Sequence, residues 1–191
     1  MYKDPLQPGC YYHIYNRGNN NENIFIEPKN YAYFLMLWKK YLHPVTLTFC
    51  YSLQPNHFHF LVYIKEDRST TEISKAFSNC FNAYAKSINK SYGRTGSLFQ
   101  ERFGRKLITN EKYFLEIIYY IHSNIQKHGL YNDFKKYPYS SYISLLSDKP
   151  TLLQREEVLD WFGGKKAFVD FHERNQELMV EYLRELQKLN L

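Results

Sequence analysis

Apolar residues recur along this chain in two periods, about two and about 3.6 residues, and the switches between them outline its elements. Cys10 to Arg17 (CYYHIYNR) is rich in β-forming residues and runs into Gly18-Asn19-Asn20-Asn21, which predicts a strand entering a turn. Pro28 suits a first helical turn, and Tyr31, Phe34, Leu35, Trp38 and Leu42 follow at three- and four-residue steps, predicting a helix over 28 to 43. Val45 to Leu53 (VTLTFCYSL) and His57 to Ile64 (HFHFLVYI) read as two strands of a hairpin separated by Gln54-Pro55-Asn56. Ser69-x-x-Glu72 is a capping box ahead of a second helix whose apolar face is Ile73, Phe77, Cys80, Phe81, Tyr84 and Ile88, ended by Gly93 and Gly96. Phe103 to Ile108 predicts a fourth strand. Asn110 is placed to cap a third helix with the stripe Phe114, Ile117, Ile118, Ile121 and Ile125, which Gly129 closes.

The order β-α-β-β-α-β-α makes the chain an α+β protein. Its first six elements match the ferredoxin-like split βαβ plan, an antiparallel sheet with helices on one face. After Tyr137-Pro138-Tyr139-Ser140-Ser141-Tyr142, the chain from Leu153 reads as a short helix, a Gly163-Gly164 break and a long polar helix. Phe168, Phe171, Leu178, Tyr182, Leu186 and Leu189 give that helix only a narrow apolar stripe, suited to packing on the body or on another chain. The expected division is a catalytic domain over 1–150 and a C-terminal helical extension over 151–191. This plan hosts many activities, so function has to be argued from side chains.

Composition narrows the classes. With 191 residues, 44% hydrophobic and 23% charged, the chain can bury a proper core, which excludes a disordered or collagen-like protein. A net charge of +6 favours a polyanionic partner, and 19 Tyr with 14 Phe offer flat faces on which unpaired bases stack. Cys10, Cys50 and Cys80 are far apart and odd in number, so neither a disulfide framework nor a zinc knuckle is suggested. The N-terminus lacks the apolar core of a signal peptide and no stretch approaches a membrane span, so a cytoplasmic protein without a membrane partner is expected.

The most informative stretch is Asn56-His57-Phe58-His59-Phe60-Leu61-Val62, because a strand sends His57 and His59 to one face and Phe58, Phe60 and Val62 to the other. Two steps of a strand separate the histidine Cα atoms by about 6.6 Å, and inclined rings can share one ion at about 2.1 Å per bond. Such a pair also occurs as two exposed or hydrogen-bonded histidines, so a third ligand is needed. Tyr120-Ile121-His122-Ser123-Asn124 supplies a candidate, since Tyr120 and Asn124 lie about one turn apart on one helix face. An amide oxygen of Asn124 could complete a His-His-Asn set with the Tyr120 hydroxyl beside it. His122 is rotated about 200° from Tyr120 and reads as structural or surface. Tyr119 is the competing phenol, but four residues on stands Ser123, a poorer ligand than Asn124.

Taken together, the H-hydrophobic-H strand, the downstream Y-x-x-x-N helix, the joining segment Tyr92-Gly93-Arg94-Thr95-Gly96-Ser97-Leu98-Phe99-Gln100-Glu101-Arg102-Phe103 and the later Tyr137-Pro138-Tyr139-Ser140-Ser141-Tyr142 resemble the HUH single-tyrosine transposases, particularly the REP-associated tyrosine transposases. The resemblance spans roughly residues 10 to 145 and departs at Ile125, where relatives often have proline. It implies a divalent ion, Mg2+ or Mn2+, held by His57, His59 and Asn124, with Tyr120 as nucleophile. It further implies a 5′-phosphotyrosine intermediate, strand transfer without ATP, and a single-stranded DNA partner with hairpins or palindromic repeats, bound by a monomer or homodimer.

Arg17, Arg94, Arg102, Arg105 and Lys106 flank the expected sheet and are candidates for phosphate contacts. The same residues leave two other readings open. One is an HUH replication initiator or relaxase-like nicking enzyme; the other is a non-catalytic ferredoxin-like RNA-binding module.

Overall fold

A computed structural model describes residues 5–175. Four strands, β1 (Tyr11–Arg17), β2 (Thr46–Gln54), β3 (His57–Ile64) and β4 (Gly104–Ile108), form one antiparallel sheet in the order β2-β3-β1-β4. Helices α1 (Pro28–Tyr41) and α2 (Thr70–Ser91) make the two crossovers of the βαββαβ unit, followed by α3 (Glu111–Lys127), α4 (Tyr142–Leu146), α5 (Arg155–Phe162) and α6 (Lys165–Arg174). None of the described helices is long and apolar enough to cross a membrane.

Local chemistry accounts for the boundaries. Ser69 and Glu72 cap α2 reciprocally: the Glu72 amide donates to Ser69 Oγ at 3.2 Å and the Ser69 amide to the Glu72 carboxylate at 2.9 Å. At the start of α1, Asn30 accepts from the amides of Ile26 and Glu27, with Pro28 at the first helical position. Gly163 and Gly164 take φ of 82° and 105° between α5 and α6, a break that a side chain would strain. The five-residue α4 is an addition to the elements read from the sequence.

Both faces of the sheet are covered, by two separate cores. On the first face, α1 and α2 pack on Tyr12, Ile14, Phe58, Phe60 and Val62, as the split βαβ plan requires. Trp38 stacks on Phe60 with ring centroids 3.5 Å apart, an aromatic contact worth about 0.5–1.5 kcal/mol beyond area burial. On the second face, α3 lies over Phe49, Cys50, Leu61 and Ile108. Helices on one face therefore describes the βαββαβ unit, while the seventh element crosses behind it. It does so because β2, β3 and β4 carry a second apolar patch that needs burial. Val158 and Phe168, of α5 and α6, are fully buried in this second core, so the described part of the extension packs on the body. Leu178, Tyr182, Leu186 and Leu189 lie outside the described residues.

Candidate active site

Alternation along β3 sends His57 and His59 to the second face, together with Leu61 and away from the α1/α2 core. On the same face α3 presents Tyr120, Asn124 and, one turn further on, His128. The structure brings His57, His59, Asn124 and Tyr120 together. His57 Nε2 stands 3.0 Å from Asn124 Oδ1, the His57 and His59 rings are edge to face at 5.2 Å, and the Tyr120 ring meets His59 edge-on at 5.5 Å. Tyr119, the competing phenol, points into the second core against Phe134, Phe171 and His172. His122 is buried on that side too, linked to His172 Nε2 at 3.0 Å and to Ser141 Oγ at 2.9 Å.

Four further residues surround the set. Asn56 Oδ1 lies 2.7 Å from His57 Nδ1, and Gln54 Nε2 donates to Asn124 Oδ1. His13 Nε2 lies 2.9 Å from His59 Nδ1 with the two rings nearly parallel, and His128 packs edge-on to His57 at 5.4 Å. Sequence reasoning did not single these out. Alternation of β1 does put His13 on one face with Tyr11, Tyr15 and Arg17. Only the β1–β3 register, Tyr15 opposite His59 and Arg17 opposite His57, shows which histidine it reaches.

The donor set fits a divalent ion. With Nδ1 donating to Asn56 Oδ1, His57 Nε2 turns a lone pair toward Asn124 Oδ1; in the other tautomer Nε2 donates to that oxygen. Asn124 Nδ2 and Gln54 Oε1 are buried with no hydrogen-bond partner among the described residues. Adjacent ligands of an octahedral ion with bonds near 2.1 Å stand about 3.0 Å apart, which is the separation observed here. The carboxamide turned over would instead donate Nδ2 to His57, so the pair can serve as a hydrogen bond or as half of a ligand set. Among the described residues no three His, Cys, Asp or Glu side chains converge on one point, so an ion held here needs the amide oxygen.

Electrostatics keep the imidazoles neutral, the form that ligates metals. Burial lowers His57 to about 4, with the Asn124 contact opposing it and His128 and Arg17 adding to it. Burial, then His13 and His57, holds His59 well below its usual value of 6.5, and burial with the charge of Lys106 lowers His13 to about 3. The Tyr120 phenol is raised by burial, against a hydrogen bond to Asn124 that pulls it down.

The exposed edge of the site, its mouth, lies at His57 and His128. Tyr120 and His59 are each only 3% exposed and Asn124 is fully buried, while His57 is partly exposed and His128 exposed. Arg17 lies opposite His57 across β1 and β3 and its charge reaches both His57 and His128 at this mouth, its guanidinium donating to Asn21 Oδ1. Of the other basic candidates, Lys106 shares the histidines' face and donates to Tyr113 Oη at 2.6 Å. Arg105 sits opposite Ile14 on the other face, over the Phe103 ring, and Arg94 is ion-paired with Glu22. Arg102 is exposed at a left-handed φ of 59°. Of the three on strands, Arg17 and Lys106 thus share the histidines' face and Arg105 takes the other, while Arg94 and Arg102 lie between α2 and β4.

No protein-family model matches the chain, and no curated protein is significantly similar to it in sequence. Among solved structures, one of a REP-associated tyrosine transposase bound to a REP hairpin is similar with a TM-score of 0.58 and 17% identity, covering 78% of this chain and 87% of that one. A looser likeness, with a TM-score of 0.40 and 13% identity, is to a bacterial tRNA(His) guanylyltransferase-like protein in complex with GTP, over 69% of this chain and 74% of that one. At 17% identity the first likeness is one of fold: the chain has the architecture of a REP-associated tyrosine transposase.

Proposed function

We propose that this chain is a metal-dependent single-tyrosine nuclease and strand transferase of the REP-associated tyrosine transposase kind, acting on single-stranded DNA beside hairpins or palindromic repeats. The observation that carries the reading is the meeting of Tyr120 and Asn124, from one face of α3, with His57 and His59 from β3. A divalent ion, Mg2+ or Mn2+, held by His57, His59 and Asn124 would supply Lewis-acid polarisation of the scissile phosphate.

The chain's own groups account for the rest. Arg17 and His128 stand at the mouth, where an incoming phosphate is met first. Tyr120 Oη attacks phosphorus as it loses its proton; the new bond is Oη–P, the broken one is P–O3′, and the departing 3′-oxygen takes up a proton. Because burial holds the phenol protonated at rest, attack is confined to a loaded site. The same burial excludes water, so the phosphotyrosine is preserved until a second 3′-hydroxyl reverses the step and joins DNA. One ester replaces another of similar type, and no ATP is required.

The test is incubation with a labelled, hairpin-flanked single strand and Mn2+. A denaturant-resistant protein–DNA adduct is expected from the wild type and none from Tyr120→Phe, while His59→Ala is expected to lose cleavage and keep most binding. An adduct that persists in Tyr120→Phe would refute the nucleophile. Binding that survives both EDTA and Tyr120→Phe, with no adduct from any variant, would favour the RNA-binding module instead.

A further inference from the structure

His13 is fully buried on β1 and uses Nε2 to meet His59 Nδ1 at 2.9 Å. The rings lie 23° from parallel, and the Tyr120 ring stands edge-on to both, 5.9 Å from His13 and 5.5 Å from His59. The contact follows from the fold: β1 pairs with β3 in a register that sets Tyr15 opposite His59 and His13 opposite Leu61, so His13 is the diagonal neighbour of His59 on the second face. With Nδ1 engaged, Nε2 is the one nitrogen His59 has left for a ligand. An imidazole that ligates through Nε2 while neutral carries its proton on Nδ1 and needs an acceptor for it.

Resting on the metal site argued above, we propose that His13 is the positioning residue for His59: its Nε2 accepts the His59 Nδ1 proton and fixes His59 in the tautomer and ring orientation that direct Nε2 to a divalent ion. Gly104 makes room for the arrangement, because a Cβ there would overlap the Tyr15 ring, which flanks His13 at 4.9 Å. Tyr15 therefore lies flat against β4 beside the two imidazoles rather than displacing them. His13 does not touch the reacting atoms; it acts through His59.

The experiment measures Mn2+ binding to the full, DNA-free protein by the loss of the free-ion electron paramagnetic resonance signal. The proteins compared are wild type, His59→Ala, His13→Phe and His13→Gln, with melting temperatures recorded alongside. Phenylalanine keeps the ring and removes the acceptor, and is expected to weaken Mn2+ binding about 10- to 100-fold. Glutamine places an amide oxygen near the Nε2 position and is expected to stay near wild type. A 15N–1H correlation spectrum of the metal-free wild type, with the His59 signals identified by their absence from His59→Ala, is expected to show the Nδ1-protonated tautomer.

Wild-type protein that binds no Mn2+ would overturn the metal site and this inference with it. Binding that is lost in His59→Ala but unchanged in His13→Phe would overturn the inference alone, as would a His13→Gln variant as weak as His13→Phe. If His13→Phe does not fold, the tautomer and the glutamine variant decide: an Nε2-protonated His59 in the wild type refutes the proposal.

Discussion

His57 Nε2 and Asn124 Oδ1 face each other at 3.0 Å with a hydrogen-bonding group behind each, Asn56 Oδ1 at the far nitrogen of the imidazole and Gln54 Nε2 at the carboxamide oxygen. In the Nδ1-protonated tautomer of His57 those outer groups leave the two inner atoms as acceptors that one ion can share. We predict that Asn124→Ala lowers Mn2+ affinity at least about tenfold, whereas Asn124→Asp, which keeps a hard oxygen and adds charge, retains it. Isothermal titration of the DNA-free protein distinguishes them; equal binding by Asn124→Ala and wild type would remove Asn124 from the ligand set.

Acid should destabilise the fold through its buried histidines. His172 is lowered to about 4 by burial, opposed by its hydrogen bond to the Phe168 carbonyl. Its folded value lies below the usual 6.5, so stability is complete above that pH. As pH falls from 6.5 toward 4, the unfolded chain takes up a proton that the native state refuses, and stability is lost over that window. The loss from this one group is on the order of 3 kcal/mol. Urea midpoints measured between pH 7 and pH 4.5 should fall, and His172→Gln should reduce the slope by about one proton's worth, roughly 1.4 kcal/mol per pH unit. An unchanged slope in that variant would show that His172 titrates normally.

Gly104 pairs across the sheet with Tyr15, whose ring occupies the space a Cβ would fill. Gly104→Ala must move a buried ring that borders both His13 and His59. The expected cost is about 1–3 kcal/mol, visible as a lower denaturant midpoint, together with weaker Mn2+ binding. Wild-type stability in this variant would mean that Tyr15 has another place to go.

Arg17 and Arg94 should separate in a salt titration. Arg17 stands at the mouth of the site, and Arg17→Ala is expected to weaken single-strand binding and reduce the slope of log K against log salt by about 0.7. Arg94 is committed to Glu22 and Asn89 within the fold. Arg94→Ala is expected to leave that slope in place and cost at most about 1 kcal/mol of stability, since Glu22 is 46% exposed. A larger slope change for Arg94 than for Arg17 would reverse the assignment of the DNA-facing side.

The amino-acid sequence by itself determined the elements that local periodicity can encode. The capping box at Ser69 and Glu72, the alternation that sends His57 and His59 to one side, and the turn that aligns Tyr120 with Asn124 all follow from a few neighbouring residues. The order of those elements also dictated a split βαβ sheet, because few topologies accommodate it. Helix α4 escaped because five residues are too short for a 3.6-residue period to declare itself. What only the tertiary structure decided is everything that depends on register and on which face a later element chooses. It set His13 against His59 across β1 and β3, placed Gln54 behind Asn124, and brought His128 beside His57. It joined His122 to His172 over 50 residues, and it divided Arg105 from Lys106 across the sheet. The reason is physical: a strand's own pattern fixes which side chains share a face, but their partners are set by long-range burial, which pairs residues with no local relation to one another.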